Sequence, residues 1–264
     1  MIRSTIFNIL FYAFSFLTAM VVWIMTFFAS RNAIWYVLRF WGVGNLFLLR
    51  VILGGKVEIR GREHLDTSRP QVIVSKHQSE LDIVMLGALM WDISAVAMEE
   101  LTKLPFFGRM MRHLEIVLIA VDGGPQGRTQ QAIEGAKRIR AQGRSMVIYP
   151  EGELMKLGAK ERYRRGAAHI YGAMGVEAVP VAVSLGVIWP QRQWRKNTGQ
   201  IGAIEFMEPI PPGMDTEAFM EEVERRIETR TMALIEEHAS GQVLEDARDR
   251  HVRGANNELP ESND

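Results

Sequence analysis

Residues 4–30 form a run of 27 positions without a charged side chain, with IFNILFYAFSFLTAMVVWIMTFFA at its heart. A helix needs about 20 mainly apolar residues to cross a bilayer. A cleaved signal peptide has a shorter apolar region and is not normally followed at once by a second one. A buried core helix of this length seldom lacks every charge. The run therefore reads as a membrane helix, spanning or re-entrant. A second segment, Ile34–Leu53, carries Arg39 and Arg50. Its Trp35, Tyr36, Phe40 and Trp41 favour the membrane–water boundary, where arginines can snorkel. It reads as an amphipathic helix lying on the membrane or against the first helix; a helix of the soluble core is the alternative. Arg31, Arg39, Arg50, Lys56 and Arg60 follow the first helix and only Arg3 precedes it. That asymmetry places the remainder of the chain on the cytoplasmic side.

The 264 residues include 31 Lys+Arg, 31 Asp+Glu and no cysteine. The absence of cysteine excludes a disulfide scaffold, a thiol nucleophile and any Cys-ligated metal centre. Balanced charge argues against a nucleic-acid partner. The remaining histidines fall in no ligand spacing, so neither a metal nor a bound cofactor is expected.

From Lys56 onward, short β-rich runs alternate with helical stretches. Strands are expected at Val57–Arg60, Gln71–Ser75, Ser94–Ala97, Ile116–Val121, Met146–Tyr149, Ala178–Ser184 and Ile201–Phe206. Helices are expected at Ser79–Met90, Phe106–His113, Arg128–Gln142, Ala167–Met174 and Thr216–His238, the last capped by Asp215. Several strand runs are continuously apolar, as in sheets covered on both faces. The fold class is α/β, with a mixed, mostly parallel sheet flanked by helices and an N-terminal membrane-associated helical segment. The organisation expected is a membrane segment at 1–54, one catalytic domain at 55–239 and a polar, flexible tail at 240–264.

No Gly-x-Ser-x-Gly elbow, P-loop, dinucleotide fingerprint or His-Glu-x-x-His is present. What remains is SKHQSELD, residues 75–82. His77 follows an apolar strand, where ligands bind in α/β sheets. Asp82 lies in the first turn of the next helix. The carboxylate can hold one imidazole nitrogen and leave the other to take a proton from a hydroxyl. Ser79 and Asp82 also match a Ser-x-x-Asp capping box, so a purely structural role fits the same residues.

The segment KHQSELD resembles the Asn-His-Gln-Ser-x-x-Asp signature of the glycerolipid acyltransferases. Further likenesses follow in order: Lys103-Leu-Pro-Phe-Phe-Gly108, Tyr149-Pro-Glu-Gly152, Tyr163-Arg-Arg-Gly166 and Val179-Pro-Val181. Trp189-Pro190 and Glu208-Pro-Ile-Pro-Pro212 resemble features of bacterial members. The resemblance implies His77 as general base and Asp82 as its orienting partner. It implies an acyl donor in the form of an acyl carrier protein or coenzyme A thioester. Lys103, Glu151, Gly152 and Arg164 are the implied acceptor-binding residues, and a lysolipid in a membrane, first of all 1-acylglycerol-3-phosphate, is the implied acceptor. A bacterial inner membrane is the implied setting. The family's second motif ends in Asp-Arg, where Val121-Asp122 is followed by Gly123. Its third reads Glu-Gly-Thr-Arg, where this chain has Glu151-Gly152-Glu153-Leu154. Two arginines expected to fork onto a phosphate are thus missing. Arg128, Arg162, Arg164 and Arg165 are possible substitutes. A lysolipid without a phosphomonoester, such as lyso-ornithine lipid, and a catalytically idle lipid-binding protein are the competing readings. Backbone N–H groups at the start of the helix after His77 are the expected oxyanion donors. Phe106, Phe107, Met110 and Met111, interleaved with Arg109 and Arg112, read as a lipid-facing shoulder beside the site, with an amphipathic core helix as the alternative.

Overall fold

The first helix, α1 (Ile2–Met25), is followed by α2 (Arg31–Leu48), which runs into a π-helical turn at Leu49–Leu53. The computed structural model describes residues 1–120, 122 and 124–257. Both N-terminal helices are long and apolar enough to cross a membrane. Neither stands apart from the rest of the chain. Phe7, Val22, Ile34, Trp35, Leu49 and Leu53 are buried in one apolar cluster with Ile73, Met85, Ile188 and Trp189 of the following domain.

Polar side chains fix α1 at both ends. Near its start, Ser4 Oγ donates to the Lys196 carbonyl at 3.1 Å and Asn8 Nδ2 to the Trp194 carbonyl at 2.7 Å. Past its end, Arg109 Nε donates to Thr26 Oγ1 at 2.7 Å, and its guanidinium lies 3.8 Å from the Phe27 ring centre. The α2 helix packs on α1 through Trp41, whose indole donates to Ser15 Oγ at 2.9 Å. It also packs on the domain: a Cβ at Gly42 would lie 3.0–3.1 Å from Ala88. Its outward stripe of Tyr36, Phe40, Val43, Phe47 and Val51 is exposed.

Seven strands follow: β1 (Lys56–Arg60), β2 (Val72–Ser75), β3 (Ser94–Met98), β4 (Val117–Ile119), β5 (Met146–Ile148), β6 (Ala178–Val183) and β7 (Ile201–Phe206). Between and after them lie α3 (Glu80–Leu89), α4 (Phe107–His113), α5 (Gly124–Ala141), α6 (Gly166–Met174), α7 (Thr216–His238) and α8 (Gly241–Asn257). The sheet order is β1-β7-β6-β2-β5-β3-β4, and only the β6–β7 pair is antiparallel. The mixed, mostly parallel sheet is the one expected. Every residue of β2 and β6 is buried, which is why those runs read as unbroken apolar stretches. On α7, Phe219, Val223, Ile227, Leu234 and Ile235 are fully buried, as their spacing requires. Each such side chain contributes about 1.5–3 kcal/mol.

The C-terminal stretch departs from the expectation of a flexible tail. Residues 241–257 form α8, and Ala247 is buried with Leu157, Val187 and Ile235. Arg250 Nη1 donates to the Leu157 carbonyl at 2.8 Å. The segment looked unable to order itself because it holds few large apolar groups. Leu244 and several small residues do the packing. A Cβ on Gly254 would lie 2.2 Å from the Lys160 carbonyl oxygen, and one on Gly158 (φ +79°) 2.2 Å from that of Ala247. The rest of the expected tail, 258–264, lies outside the described residues, as do Val121 and Gly123 of the altered second motif.

Candidate active site

The site is assembled at the C-terminal edge of the parallel strands. The backbone N–H of Lys76 donates to the Val181 carbonyl at 3.0 Å and ends the β2 ladder. His77 comes next. Its carbonyl accepts from Met155 N–H at 2.7 Å, so the turn after β5 is laced to it. Its ring stacks on Tyr149 with centroids 4.0 Å apart and planes 20° from parallel.

His77 Nδ1 lies 3.0 Å from Asp82 Oδ2. The same carboxylate oxygen accepts from Gln78 N–H at 2.7 Å and Ser79 N–H at 2.9 Å. An ionised carboxylate only accepts, so Nδ1 donates to it, and in the neutral ring Nε2 keeps its lone pair. Nε2 meets no hydrogen-bond partner among the described residues. The His77 side chain is 14% exposed and that of Asp82 1%. One buried carboxylate thus both starts α3 and orients the imidazole. Ser79 completes the cap by accepting from Leu81 N–H at 3.1 Å, while its hydroxyl donates to the Trp189 carbonyl at 2.8 Å. Trp189 meets Phe7 and Phe11 of α1 edge-on, with ring centres 5.2 and 4.8 Å away. The apolar helix is therefore linked to the imidazole through Trp189, Ser79 and Asp82.

This geometry narrows the expectation for the oxyanion. The N–H groups of Gln78, Ser79 and Leu81 are already bonded to Asp82 and Ser79, so they are not open donors.

The expected acceptor-binding residues divide. Gly152 takes φ +75°, and the position a Cβ would occupy lies 2.6–2.8 Å from the Arg164 guanidinium atoms. Gly152 and Arg164 are therefore in contact, and the positive φ is what favours glycine there. Arg164 is exposed and pairs with no carboxylate among the described residues. Lys103 ends a 3-10 turn after β3, on the same sheet edge, and is also exposed. Glu151 is a correction: its side chain has no exposed surface and faces inward to Lys76, 3.1 Å away. Burial pushes its carboxyl up from 4.5 to about 6 against the opposing pull of Lys76. It supports the turn and presents nothing to a ligand. Of the other arginines, Arg128 bonds the Gly124 carbonyl and Arg165 pairs with Glu217.

Lys76 is the residue that the motif reading passed over. It stands where the family signature has asparagine, which was the available signal. The expected lipid-facing shoulder is also revised. Phe106 packs on Phe16 and Trp23 of α1, and Arg109 is committed to Thr26, so this segment is largely a seat for α1. Phe107 remains exposed. Elsewhere, Glu58, Glu237 and His238 lie close enough to share a metal ion, but Arg60 already bridges the two carboxylates.

Residues 56–184 match the Acyltransferase family model. Those residues form an Acyltransferase domain. Over 215 residues the chain is 29% identical to the 1-acyl-sn-glycerol-3-phosphate acyltransferase of Pseudomonas aeruginosa, covering 80% of this chain and 81% of that protein. It is 28% identical to the human 1-acyl-sn-glycerol-3-phosphate acyltransferase alpha over 181 residues, which span 64% of this chain and 62% of the human one. The fold is that of the 1-acyl-sn-glycerophosphate acyltransferase of Thermotoga maritima, with a TM-score of 0.72 at 20% identity. That match covers 88% of this chain and 96% of the other. The chain is thus an O-acyltransferase, and its two apolar helices associate it with a membrane.

Proposed function

We propose that this acyltransferase moves a fatty acyl group from a carrier-protein or coenzyme A thioester to the free hydroxyl of a lysolipid, first of all 1-acylglycerol-3-phosphate. The observation that carries the reading is the imidazole held by Asp82 at 3.0 Å with Nε2 open. His77 Nε2 takes the proton of the acceptor hydroxyl as its oxygen attacks the thioester carbonyl carbon. Asp82 stabilises the imidazolium. The carbon–sulfur bond breaks, and the imidazolium returns its proton to the departing thiolate. No acyl-enzyme is required. Arg164 over Gly152 is the cation that receives the acceptor's phosphate, with Lys103 on the same edge. The donor meets the site from the cytoplasmic side, following the positive residues after α1.

A second reading rests on Leu154 and the exposed Glu153, which stand where the family has arginine and threonine. It keeps the chemistry and replaces the acceptor by a lysolipid without a phosphomonoester.

Thiol release by the detergent-purified protein, with one thioester donor and a panel of lysolipids, tests both. A positioned base supplies about 10²–10⁴ in rate, so His77→Ala is expected to lose at least that factor with lysophosphatidate as acceptor. Release only with a phosphate-free acceptor moves the substrate. No release with any acceptor and either donor means an idle lipid-binding protein, and full activity in His77→Ala removes the mechanism.

A further inference from the structure

The side chain of Lys76 has no exposed surface. Its ammonium group lies 2.5 Å from Glu228 Oε1, 3.1 Å from Glu151 Oε1 and 3.0 Å from the Ala159 carbonyl oxygen. An ammonium has three N–H donors, and three acceptors surround this one. Tyr163 donates its hydroxyl to the same Glu228 oxygen at 2.8 Å. One cation therefore joins four stretches of chain: the end of β2, the turn after β5, the segment at 159–163, and α7.

Such a group is costly to bury, and an apolar core would serve stability equally well. What distinguishes Lys76 is its place. It precedes His77, and Glu151 precedes Gly152, on which Arg164 lies. The turn holding Glu151 and Gly152 is laced to the catalytic segment twice, once by Lys76–Glu151 and once by Met155 N–H to the His77 carbonyl. The imidazole is held separately, by Asp82 and the Ser79 cap, which Lys76 does not touch.

We infer that Lys76 is a positioning residue: it pins the Glu151–Gly152 turn to the end of β2 and thereby fixes where Arg164 meets the acceptor. The inference rests on the acyl-transfer reading above. In this chain the third motif has lost its arginine, and an internal cation from the first motif holds the turn in its place. The hold on the acceptor's phosphate depends on Lys76, whereas deprotonation of its hydroxyl depends on the dyad.

The test is steady-state kinetics of Lys76→Met and of Lys76→Met/Glu228→Gln. The single variant strands Glu228 without its cation and is the one at risk of misfolding. The double variant removes one charge of each sign and is the one to rely on. The expected result is a double variant that melts within about 5 °C of the parent, with acceptor KM raised about tenfold or more and donor KM within twofold. Acceptor and donor KM both unchanged, or both raised alike, overturns the role. His77→Ala run beside it keeps the two readings apart. Full activity in His77→Ala sinks the general-base mechanism on which the inference rests, whereas an inactive His77→Ala with an unaltered double variant sinks only the role of Lys76.

Discussion

Asp82 Oδ2 receives three donors at once, from His77, Gln78 and Ser79. An amide in its place keeps an acceptor oxygen but not the negative charge that an imidazolium needs. Asp82→Asn is expected to lower turnover by about 10²–10⁴, and thiol release within a few-fold of the parent would sink the assignment. Glu151 makes a prediction about pH. Its carboxyl sits at about 6 in the folded chain against an ordinary 4.5, so the folded state holds the proton more tightly than the unfolded one. Its contribution to stability is present below 4.5 and is lost as pH rises to 6, by roughly 2 kcal/mol. The groups facing it are Lys76, Glu228, Tyr163 and Tyr149, with His251 4.0 Å beyond Glu228. Melting curves of the parent minus those of Glu151→Gln should show that fall between pH 4.5 and 6. A flat difference would contradict the buried placement. At this scale His77 and Asp82 were legible because the chemistry lies within one turn of chain. Lys76 was not, because its partners at 151 and 228 are distant in sequence and only the fold brings them together.

Among the elements, most strands and core helices were legible to within a residue or two, although the helix expected at Arg128–Gln142 is found at Gly124–Ala141 and the strand expected at Ile116–Val121 is found at Val117–Ile119. Val57–Arg60 was expected and Lys56–Arg60 is found; Thr216–His238 is found as expected. Unbroken β-branched runs and a 3.6-residue apolar period carry that information locally. The α8 helix was missed because it is seated by Leu244, Ala247, Gly254 and the polar contacts of Arg248 and Arg250, too few large apolar groups to stand out in the sequence. Gly254→Val places a branched side chain where the Lys160 carbonyl lies 2.2 Å from a Cβ. It should cost about 1–3 kcal/mol and loosen α8, seen as a lower melting temperature and faster proteolysis after residue 240. An unchanged melting point would mean that α8 is not seated there. Ser79→Ala removes the cap of α3 and is expected to cost about 0.5–2 kcal/mol, read by denaturant melts.

For the molecule as a whole, the apolar N-terminus is part of the core. Phe7, Ile34, Trp35 and Leu53 share a buried cluster with Met85 and Trp189. Deleting residues 1–54 uncovers that cluster, so the remainder should aggregate or melt far below the full chain. A monomeric, fully active truncation, seen by size-exclusion chromatography and thiol release, would show that α1 and α2 are dispensable. From the sequence, the length and composition of the first segment marked a membrane helix. Its attachment was hidden, because Ser4, Asn8 and Thr26 look like incidental polar residues until Lys196, Trp194 and Arg109 are found opposite them.

Because α1 is bound to the domain at both ends, it has no slack. An enzyme on a flexible leash samples a volume above the lipid, and its encounters scale with an effective concentration set by the leash length. A clamped helix instead gives the imidazole a single depth relative to the apolar face. Lengthening the loop between α1 and α2 would leave that depth alone, whereas cutting either clamp would let the whole domain rock away from the plane in which its acceptor diffuses.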